Sequence, residues 1–195
     1  MRDSDIRAVL REQLRSAHER EDALIIEELG LCQGDARVDV AVINSSITGY
    51  EIKSDRDTLA RLPGQIEIYS RTLDYVTVVA SASHVEKIVA RVPKWFGVVE
   101  AVAEEDSIIL RTVRAGVENP SVDPYSLVQL LWRDEALNLL LEFGLARGVK
   151  SKPREAVWQR LAQARPIGEL GRLVRHQLRN RGEWRGVSQV GSSGA

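Results

Sequence analysis

The spacing of apolar residues predicts one helix and three strands in the first third of the chain. Over residues 3–18, apolar side chains recur at helical intervals, at Ile6, Val9, Leu10 and Leu14. Three runs rich in aliphatic and β-branched residues follow, and Gly, Asn and Ser bound them, which is typical of strands. In sequence letters the three runs read ALIIEELGL, ARVDVAVIN and SSITGYEIKSD, and the first is expected to end at Gly30.

The same criteria extend the series to an α/β core. A helix is predicted over about 57–72, with Pro63 interrupting and restarting it. The nearly all-apolar run 75–81 predicts a strand buried on both faces. A capping-box sequence predicts a helix over 83–92, and two more strands are expected between 95 and 113. The order αβββαβ predicts an α/β fold with a mixed sheet.

A turn-rich segment, residues 116–123, separates this core from a helical part. Helices are predicted over 124–144, 153–164 and 167–181. The chain is therefore divided into a first domain of residues 1–115, a linker of 116–123, a basic helical domain of 124–185 and a flexible tail of 186–195.

Two acidic residues are predicted to face each other across a hairpin. A three-residue loop at 44–46 joins the second and third strands, and in that register Asp39 falls directly opposite Glu51. Like charges in such a pair destabilise a sheet, and a divalent cation between them would reverse that effect. The hairpin therefore predicts half of a metal site.

Side-chain alternation adds a lysine to this pair. Val38 and Val40 are expected on one face of the second strand and Asp39 on the other, while Glu51 and Lys53 share a face of the third. The alternative is an exposed Glu-x-Lys pair with Asp39 capping a turn.

The spacing of these residues resembles that of a known superfamily. Asp39, followed a dozen residues later by Glu51-Ile52-Lys53, is similar to the motif of the PD-(D/E)XK nucleases, which share the restriction-endonuclease-like fold. Val38 stands where the first motif has proline, a departure that many superfamily members share.

A second motif narrows the resemblance. Gln65 and Tyr69 lie four positions apart, on one face of the predicted helix, and resemble the QxxxY motif of the RecB and lambda-exonuclease branch. More closely, residues 1 to about 115 resemble a family of small, uncharacterised bacterial proteins of this superfamily.

The resemblance implies a catalytic site for Mg²⁺ or Mn²⁺. The metal would be held by Asp39, Glu51 and the backbone carbonyl of Ile52, and Lys53 would orient the attacking water or neutralise a phosphate. Gln65 and Tyr69 would hold a phosphate or the water. Mg²⁺ takes oxygen ligands and keeps several waters, so one or two carboxylates suffice.

Further residues are candidates for the same site. A third carboxylate is expected from Glu28, with Glu27 and Asp5 as alternatives, because only one of two adjacent strand residues can face the same way as Asp39. The arginines Arg56 and Arg61 flank the motifs and could clamp phosphates in a bidentate manner.

Composition and charge bear on the partner and the compartment. Residues 124–195 carry 12 Lys and Arg against 6 Asp and Glu, whereas the remainder carries a formal charge of −7. A basic region beside an acidic site predicts a polyanionic partner. The partner is expected to be nucleic acid, with DNA preferred over RNA. The single cysteine, Cys32, the charged N-terminus and the lack of a long apolar run favour a cytoplasmic protein that does not enter a membrane.

The sequence thus predicts a Mg²⁺-dependent nuclease that hydrolyses phosphodiester bonds. The alternative is an inactive module that keeps the nuclease fold and binds nucleic acid or a protein. The C-terminal helices leave open a protein partner or a homodimer.

Overall fold

The computed structural model of the protein describes residues 1–105 and 107–182. Its α-helices are α1 (Asp3–Ala17), α2 (Leu62–Thr72), α3 (Ala82–Arg91), α4 (Pro124–Val128), α5 (Arg133–Glu142), α6 (Arg154–Ala162) and α7 (Ile167–Asn180). Its strands are β1 (Leu24–Leu31), β2 (Ala36–Ile43), β3 (Ile47–Lys53), β4 (Tyr75–Ser81), β5 (Gly97–Ala103) and β6 (Ile108–Arg114).

The six strands form one mixed sheet in the order β1-β2-β3-β4-β5-β6. Strands β3, β4 and β5 run parallel, and the other neighbours are antiparallel. Parallel neighbours need crossover connections, and here α2 and α3 provide them. The predicted α/β class, the αβββαβ order and the C-terminal helices are confirmed.

Helix α1 covers one face of the sheet. Its apolar stripe consists of Ile6, Leu10 and Leu14, which pack in one cluster with Val40 and Ile52 of the sheet. The residues that recur at helical intervals in the sequence therefore form the face of α1 that contacts the sheet. Arg7 and Arg11 of α1 are partly buried and contact strands β1 and β2, which places them at the border between helix and sheet.

The opposite face is covered by α2 and by the C-terminal helices. One hydrophobic cluster runs from strand residues such as Val78 through Leu127 and Trp158 to Leu178. The indole Nε1 of Trp158 donates to the Leu131 carbonyl at 3.0 Å, so its polar atom is satisfied within this core. The region after Pro124 is therefore packed on the sheet rather than held at a distance from it.

Polar contacts reinforce the same junction. The Asp74 carboxylate accepts from the Ile47 backbone N–H at 2.7 Å and from the Arg175 guanidinium at 3.1 Å. The Asn119 amide nitrogen donates to the carbonyls of Ser70 and Leu73 at 2.7 and 2.8 Å. The turn-rich segment and α7 are thus both fixed to the end of α2 and the entry to β4.

Some predicted boundaries were wrong. Helix α2 begins at Leu62 rather than near 57, with Pro63 in its first turn, where the missing N–H costs no helical bond. The helix expected over 124–144 is two helices, because Trp132 is an extended N-cap whose N–H donates to the Glu135 side chain at 2.7 Å. Helix α3 begins one residue earlier than predicted, and its N-cap side chain makes no capping hydrogen bond.

Two further predictions concern the membrane and the C-terminus. Among the helices that the structure describes, none has the length and apolar character that crossing a bilayer requires. The predicted tail, residues 186–195, and the end of the predicted helical domain lie outside the described residues.

Candidate active site

Strand β2 changes the face that it presents at Asp39. Val38 packs in the core under α2, whereas Val40 and Val42 pack under α1. Regular alternation would put all three on one face, so the prediction that Val38 and Val40 share a face was wrong. The switch falls on the residue that the sequence singles out as a metal ligand.

The neighbouring strand is irregular at the same level. The β1–β2 register includes Glu27 with Val40 and Leu29 with Val38, but the intervening pair of Glu28 and Asp39 is missing from the ladder. Glu28 has φ of 58°, a conformation that a residue other than Gly rarely adopts. The regular pairing of β1 and β2 is therefore interrupted at Glu28 and Asp39, which leaves a gap in the ladder.

Helix α1 contributes a residue to the gap. Arg7 donates from Nη2 to Asp39 Oδ1 at 2.8 Å and from Nη1 to the Asp39 backbone carbonyl at 3.0 Å. The other Asp39 oxygen, Oδ2, accepts the Ile52 backbone N–H at 2.7 Å. Asp39 is therefore held on one side by α1 and on the other by β3, next to Glu51.

Glu51 is the centre of a buried polar network. Its Oε1 accepts from the Lys53 ammonium at 2.6 Å and from the Gln65 amide nitrogen at 2.6 Å, and its Oε2 accepts from the Tyr69 hydroxyl at 2.5 Å. Lys53 also donates to Gln65 Oε1 at 3.1 Å. Four residues of two sequence motifs thus form one hydrogen-bonded cluster.

The burial of this network excludes the exposed-pair alternative. Glu51 and Lys53 are each 3% exposed, and Tyr69 is 1% exposed. Charged residues are rarely buried to this degree unless they are paired, and Lys53 and Glu51 pair with each other. The Glu-x-Lys sequence is therefore an internal feature of the fold.

The surroundings of Glu51 alter its ionisation. Burial, and next the negative charge of Asp39, raise the pKa of the Glu51 carboxyl above its usual range, against the opposing effect of Lys53. Burial and the charge of Glu51 likewise raise the pKa of Tyr69, so its hydroxyl remains a proton donor. The two carboxylates thus repel each other although each has a cationic partner, and a cation bound between them would relieve that repulsion.

These residues border an open cavity of about 720 Å³. Glu28, Asp39, Glu51, Gln65 and Arg61 line it, so the structure brings together five of the predicted site residues. Further lining residues are Gly30, Gly34, Asp35, Ala36, Arg37, Ala60, Gly64 and Ile68. Lys53 and Tyr69 do not line the cavity but lie behind Glu51, in hydrogen-bond contact with it.

Other predicted residues lie elsewhere. Glu27 forms an ion pair with Arg11 of α1 at 2.8 Å, and Asp5 accepts the Arg2 backbone N–H at 2.9 Å at the start of its own helix. Arg56 is exposed and is not among the residues that line the cavity. Of the three candidates for a third carboxylate, only Glu28 faces the cavity.

The carboxylates retain capacity for a divalent cation. A carboxylate offers about four acceptor positions, and hydrogen bonds take three on Glu51 and two on Asp39. Oxygen donors of this kind suit Mg²⁺ or Mn²⁺. Within the described residues, no three His, Cys, Asp or Glu side chains converge as a metal-binding group. Asp39 and Glu51 are the two motif carboxylates that line the cavity.

Sequence reasoning missed Arg7 and Arg37. The Arg7 side chain is 17% exposed and also contacts Asp3 and Glu28, while Arg37 pairs with the other oxygen of Glu28. Arg7 looks like an ordinary charged residue on the polar side of an amphipathic helix. The sequence signal for Arg7 was weak: it lies one position after Ile6 and three positions before Leu10, so it falls at the edge of the buried stripe of α1.

In comparisons with known proteins, the chain is similar in sequence to a phage protein. The family model described as Bacteriophage P4 protein cII matches residues 1–184. Protein cII of Enterobacteria phage P4 is 29% identical over 145 residues, which cover 74% of this chain and 55% of that protein. The chain thus spans about half the length of this curated relative.

Among solved structures, a protein of unknown function from Silicibacter pomeroyi, SPO1766, is 23% identical. The match covers 70% of this chain and 89% of that one, with a TM-score of 0.40.

Proposed function

We propose that this chain, which belongs to the bacteriophage P4 protein cII family, is a Mg²⁺-dependent nuclease of the PD-(D/E)XK type. One observation carries the proposal: Lys53, Gln65 and Tyr69 all bond to the buried Glu51 carboxylate, and Glu51 shares a cavity with Asp39. This is a pair of carboxylates at an open cavity, backed by a lysine, as metal-assisted hydrolysis of a phosphodiester requires.

Asp39 and Glu51 would hold the cation, together with the Ile52 carbonyl that the superfamily resemblance implies. When bound, the cation would polarise a phosphoryl oxygen and lower the pKa of a coordinated water. Both carboxylates are fixed by hydrogen bonds within the protein, so their positions would not depend on the ion. Asp39 is held by Arg7 and by the Ile52 N–H, and Glu51 is held by three donors.

Lys53 is placed to supply positive charge beneath the cavity. Its ammonium has three N–H donors, and two of them are used by Glu51 and Gln65. Because Lys53 lies behind Glu51 and not at the cavity surface, its positive charge would act on the cavity mainly through Glu51 and Gln65. Gln65 lines the cavity and is positioned by both Glu51 and Tyr69, so its amide is oriented before a substrate binds.

The substrate is proposed to be nucleic acid, and a loop of the helical part supports this. Between α5 and α6, the side chains of Arg147, Lys150 and Lys152 are exposed, while Ala146 and Val149 are buried. Alternating buried anchors and exposed cations fix the loop on the core and direct its positive charge to solvent, where phosphates can bind.

The backbone of this loop is also held in place. Arg133 donates from Nη2 to the Lys150 carbonyl at 2.6 Å and from Nε to the Lys152 carbonyl at 3.1 Å. These bonds limit the entropy that the loop would lose on binding a polyanion. Such phosphate contacts carry little sequence preference.

A non-catalytic module remains a second proposal, and the Arg7 contact favours it. The Arg7 guanidinium bound to Asp39 Oδ1 neutralises this carboxylate without a metal, and an inactive binding protein would need such a partner for the charge.

For either function we propose the cytoplasm as the compartment. The single cysteine, Cys32, is buried and free, in keeping with a reducing environment. A protein partner or a homodimer through the C-terminal helices stays a prediction.

The test is cleavage of single- and double-stranded DNA and RNA with Mg²⁺ or Mn²⁺. Asp39→Asn removes a ligand charge, so both Mn²⁺ binding in a calorimetric titration and cleavage should fall. Lys53→Met should still bind Mn²⁺ but lose about 100-fold or more in cleavage rate, as losses of pre-organised charge at a reaction centre do.

Two exposed residues provide matched controls. Glu67→Gln and Lys87→Met make the same changes of charge on the surfaces of α2 and α3, and both variants should behave as wild type. A wild-type protein that binds nucleic acid but cuts none of the substrates would favour the binding module. Equal cleavage by Lys53→Met and wild type would contradict the proposed site.

A further inference from the structure

The irregular pairing of β1 and β2 leaves Asp39 without its strand partner. Glu28, which would face it, is absent from the ladder and has φ of 58°. Regular pairing therefore does not orient Asp39 on the β1 side, and on the β3 side the Ile52 N–H binds only its Oδ2. The proposed metal site nevertheless requires the whole carboxylate in a fixed position. Another part of the fold has to supply the constraint.

Arg7 supplies it with two nitrogen atoms of one planar group. Nη1 binds the Asp39 backbone carbonyl and Nη2 binds its Oδ1, at 3.0 and 2.8 Å. A bond to the main chain and one to the side chain of the same residue together fix the orientation of the carboxylate. Lysine offers a single nitrogen, so it can retain the charge but not the paired contact.

Arg7 is itself held from two other directions. Its Nε donates to Asp3 Oδ1, one turn earlier in α1, at 3.2 Å, and its Nη1 lies 3.3 Å from Glu28 Oε1. Its side chain is only 17% exposed, so the contact is not a freely moving surface pair. Helix α1 thus delivers a fixed guanidinium into the gap between β1 and β2.

We infer that Arg7 is a positioning residue that sets the orientation of Asp39 for metal binding. This inference rests on the proposed nuclease function. It gives α1 a role beyond covering the sheet, because the helix carries the residue that replaces the missing strand partner.

A matched control lies one turn along the same helix. Arg11 forms an ion pair with Glu27 of β1 at 2.8 Å, so it also ties α1 to the sheet. Glu27, however, contacts neither Asp39 nor the cavity by any hydrogen bond or lining position within the described residues. Both Arg7→Lys and Arg11→Lys therefore alter an ion pair between α1 and the sheet, but only Arg7→Lys alters a contact to Asp39.

The experiment is a calorimetric Mn²⁺ titration of the full chain and of both variants, with thermal unfolding in EDTA as the measure of folding. Arg7→Lys is expected to weaken Mn²⁺ binding about ten-fold, the lower end of the effect of losing a contact that orients a metal ligand. Arg11→Lys should bind Mn²⁺ as wild type does. Equal Mn²⁺ affinity in the two variants would overturn the inference and leave Arg7 as a packing contact.

A second variant decides the matter should Arg7→Lys fail to fold. Asp3→Ala removes the acceptor that holds Arg7 Nε, at a partly exposed position. The Mn²⁺ affinity of this variant should lie between that of wild type and that of Asp39→Asn. Unchanged affinity there would equally overturn the inference.

The experiment distinguishes failure of the proposed role of Arg7 from failure of the proposed nuclease function. If wild type binds Mn²⁺ but cuts nothing and Arg7→Lys weakens binding, the nuclease proposal fails and the role of Arg7 stands. If wild type binds and cuts and Arg7→Lys matches it, only the role of Arg7 fails. A wild-type protein without Mn²⁺ affinity overturns both.

Discussion

The Tyr69 hydroxyl lies 2.5 Å from Glu51 Oε2, a contact between a helix and a strand whose residues are 18 positions apart. The same hydroxyl lies 3.0 Å from the Arg37 carbonyl. Because it has one proton, the shorter contact to a charged acceptor takes it. Tyr69 therefore acts as a fixed donor that holds Glu51 from behind, while the cavity side of the carboxylate stays open.

Removal of this hydroxyl should be costly. Tyr69→Phe keeps the buried ring but leaves Glu51 Oε2 without its donor, so the free energy of unfolding should fall by roughly 1–3 kcal/mol. Urea denaturation in EDTA measures this. Tyr50→Phe is the control, since Tyr50 is half-buried and its hydroxyl makes no hydrogen bond within the described residues. An equal effect of the two substitutions would show that the hydroxyl of Tyr69 is not bound as the structure has it.

The raised pKa of Glu51 predicts a pH dependence of stability. Because burial and Asp39 raise this pKa in the folded state above the ordinary value of 4.5, the folded protein binds the proton more tightly than the unfolded chain. The contribution to stability is therefore complete below pH 4.5 and is lost as pH rises through the raised pKa. Unfolding free energies in EDTA should decline over that window, and Mn²⁺ should reduce the decline by binding the folded state.

Substitution isolates the contribution of this residue. The pH profile of Glu51→Gln should lack this decline, because the titrating carboxyl is gone. The profile of Glu67→Gln, a substitution at an exposed position of α2, should retain it. Parallel profiles for wild type and Glu51→Gln would mean that another group titrates in this range.

The loop between α5 and α6 should govern the salt dependence of nucleic-acid binding. Replacing Arg147, Lys150 and Lys152 together by Gln should weaken binding at low salt and lower the slope of log K against log salt by about 2–3, since each phosphate contact contributes about 0.9. Fluorescence anisotropy with a labelled DNA oligonucleotide measures both quantities.

The control for this loop is an equal change of charge on another surface. Lys87, Arg91 and Lys94 are also exposed, and their triple Gln variant should keep most of the slope. Equal slopes for the two triple variants would mean that net charge, rather than this loop, determines binding. Point substitutions are preferable to truncation near Val122, because removal of the helices would uncover the core of the sheet.

Local sequence patterns predicted much of the fold. The strand at 75–81 and the register of the hairpin through Ile43 and Ile47 are as expected, because uninterrupted apolar runs and a short loop leave few alternatives. The face switch at Asp39 was not predictable in this way. It depends on the unusual backbone of Glu28 and on Arg7, 32 residues away in sequence, and alternation rules assume that neither intervenes.

The helical part was predicted less well for a related reason. A continuous apolar pattern over 124–144 indicates one helix, but the break at Trp132 arises where Glu135 accepts the Trp132 N–H and also binds Arg181. That ion pair joins residues 46 positions apart. Long-range contacts of this kind are not encoded in a local pattern, so the pattern predicted one helix where the structure has two.

The shared core of the sheet and the C-terminal helices has a consequence for synthesis on the ribosome. Asp74, at the entry to β4, meets Arg175 of α7 only after 101 further residues have been added. Until then the core on this side of the sheet lacks Leu170, Val174 and Leu178 of α7. The face is only partly covered, and exposed apolar surface of this kind is what chaperones and proteases recognise. We expect chains stalled before α7 to be cleaved within the strands by a protease that leaves the finished protein intact.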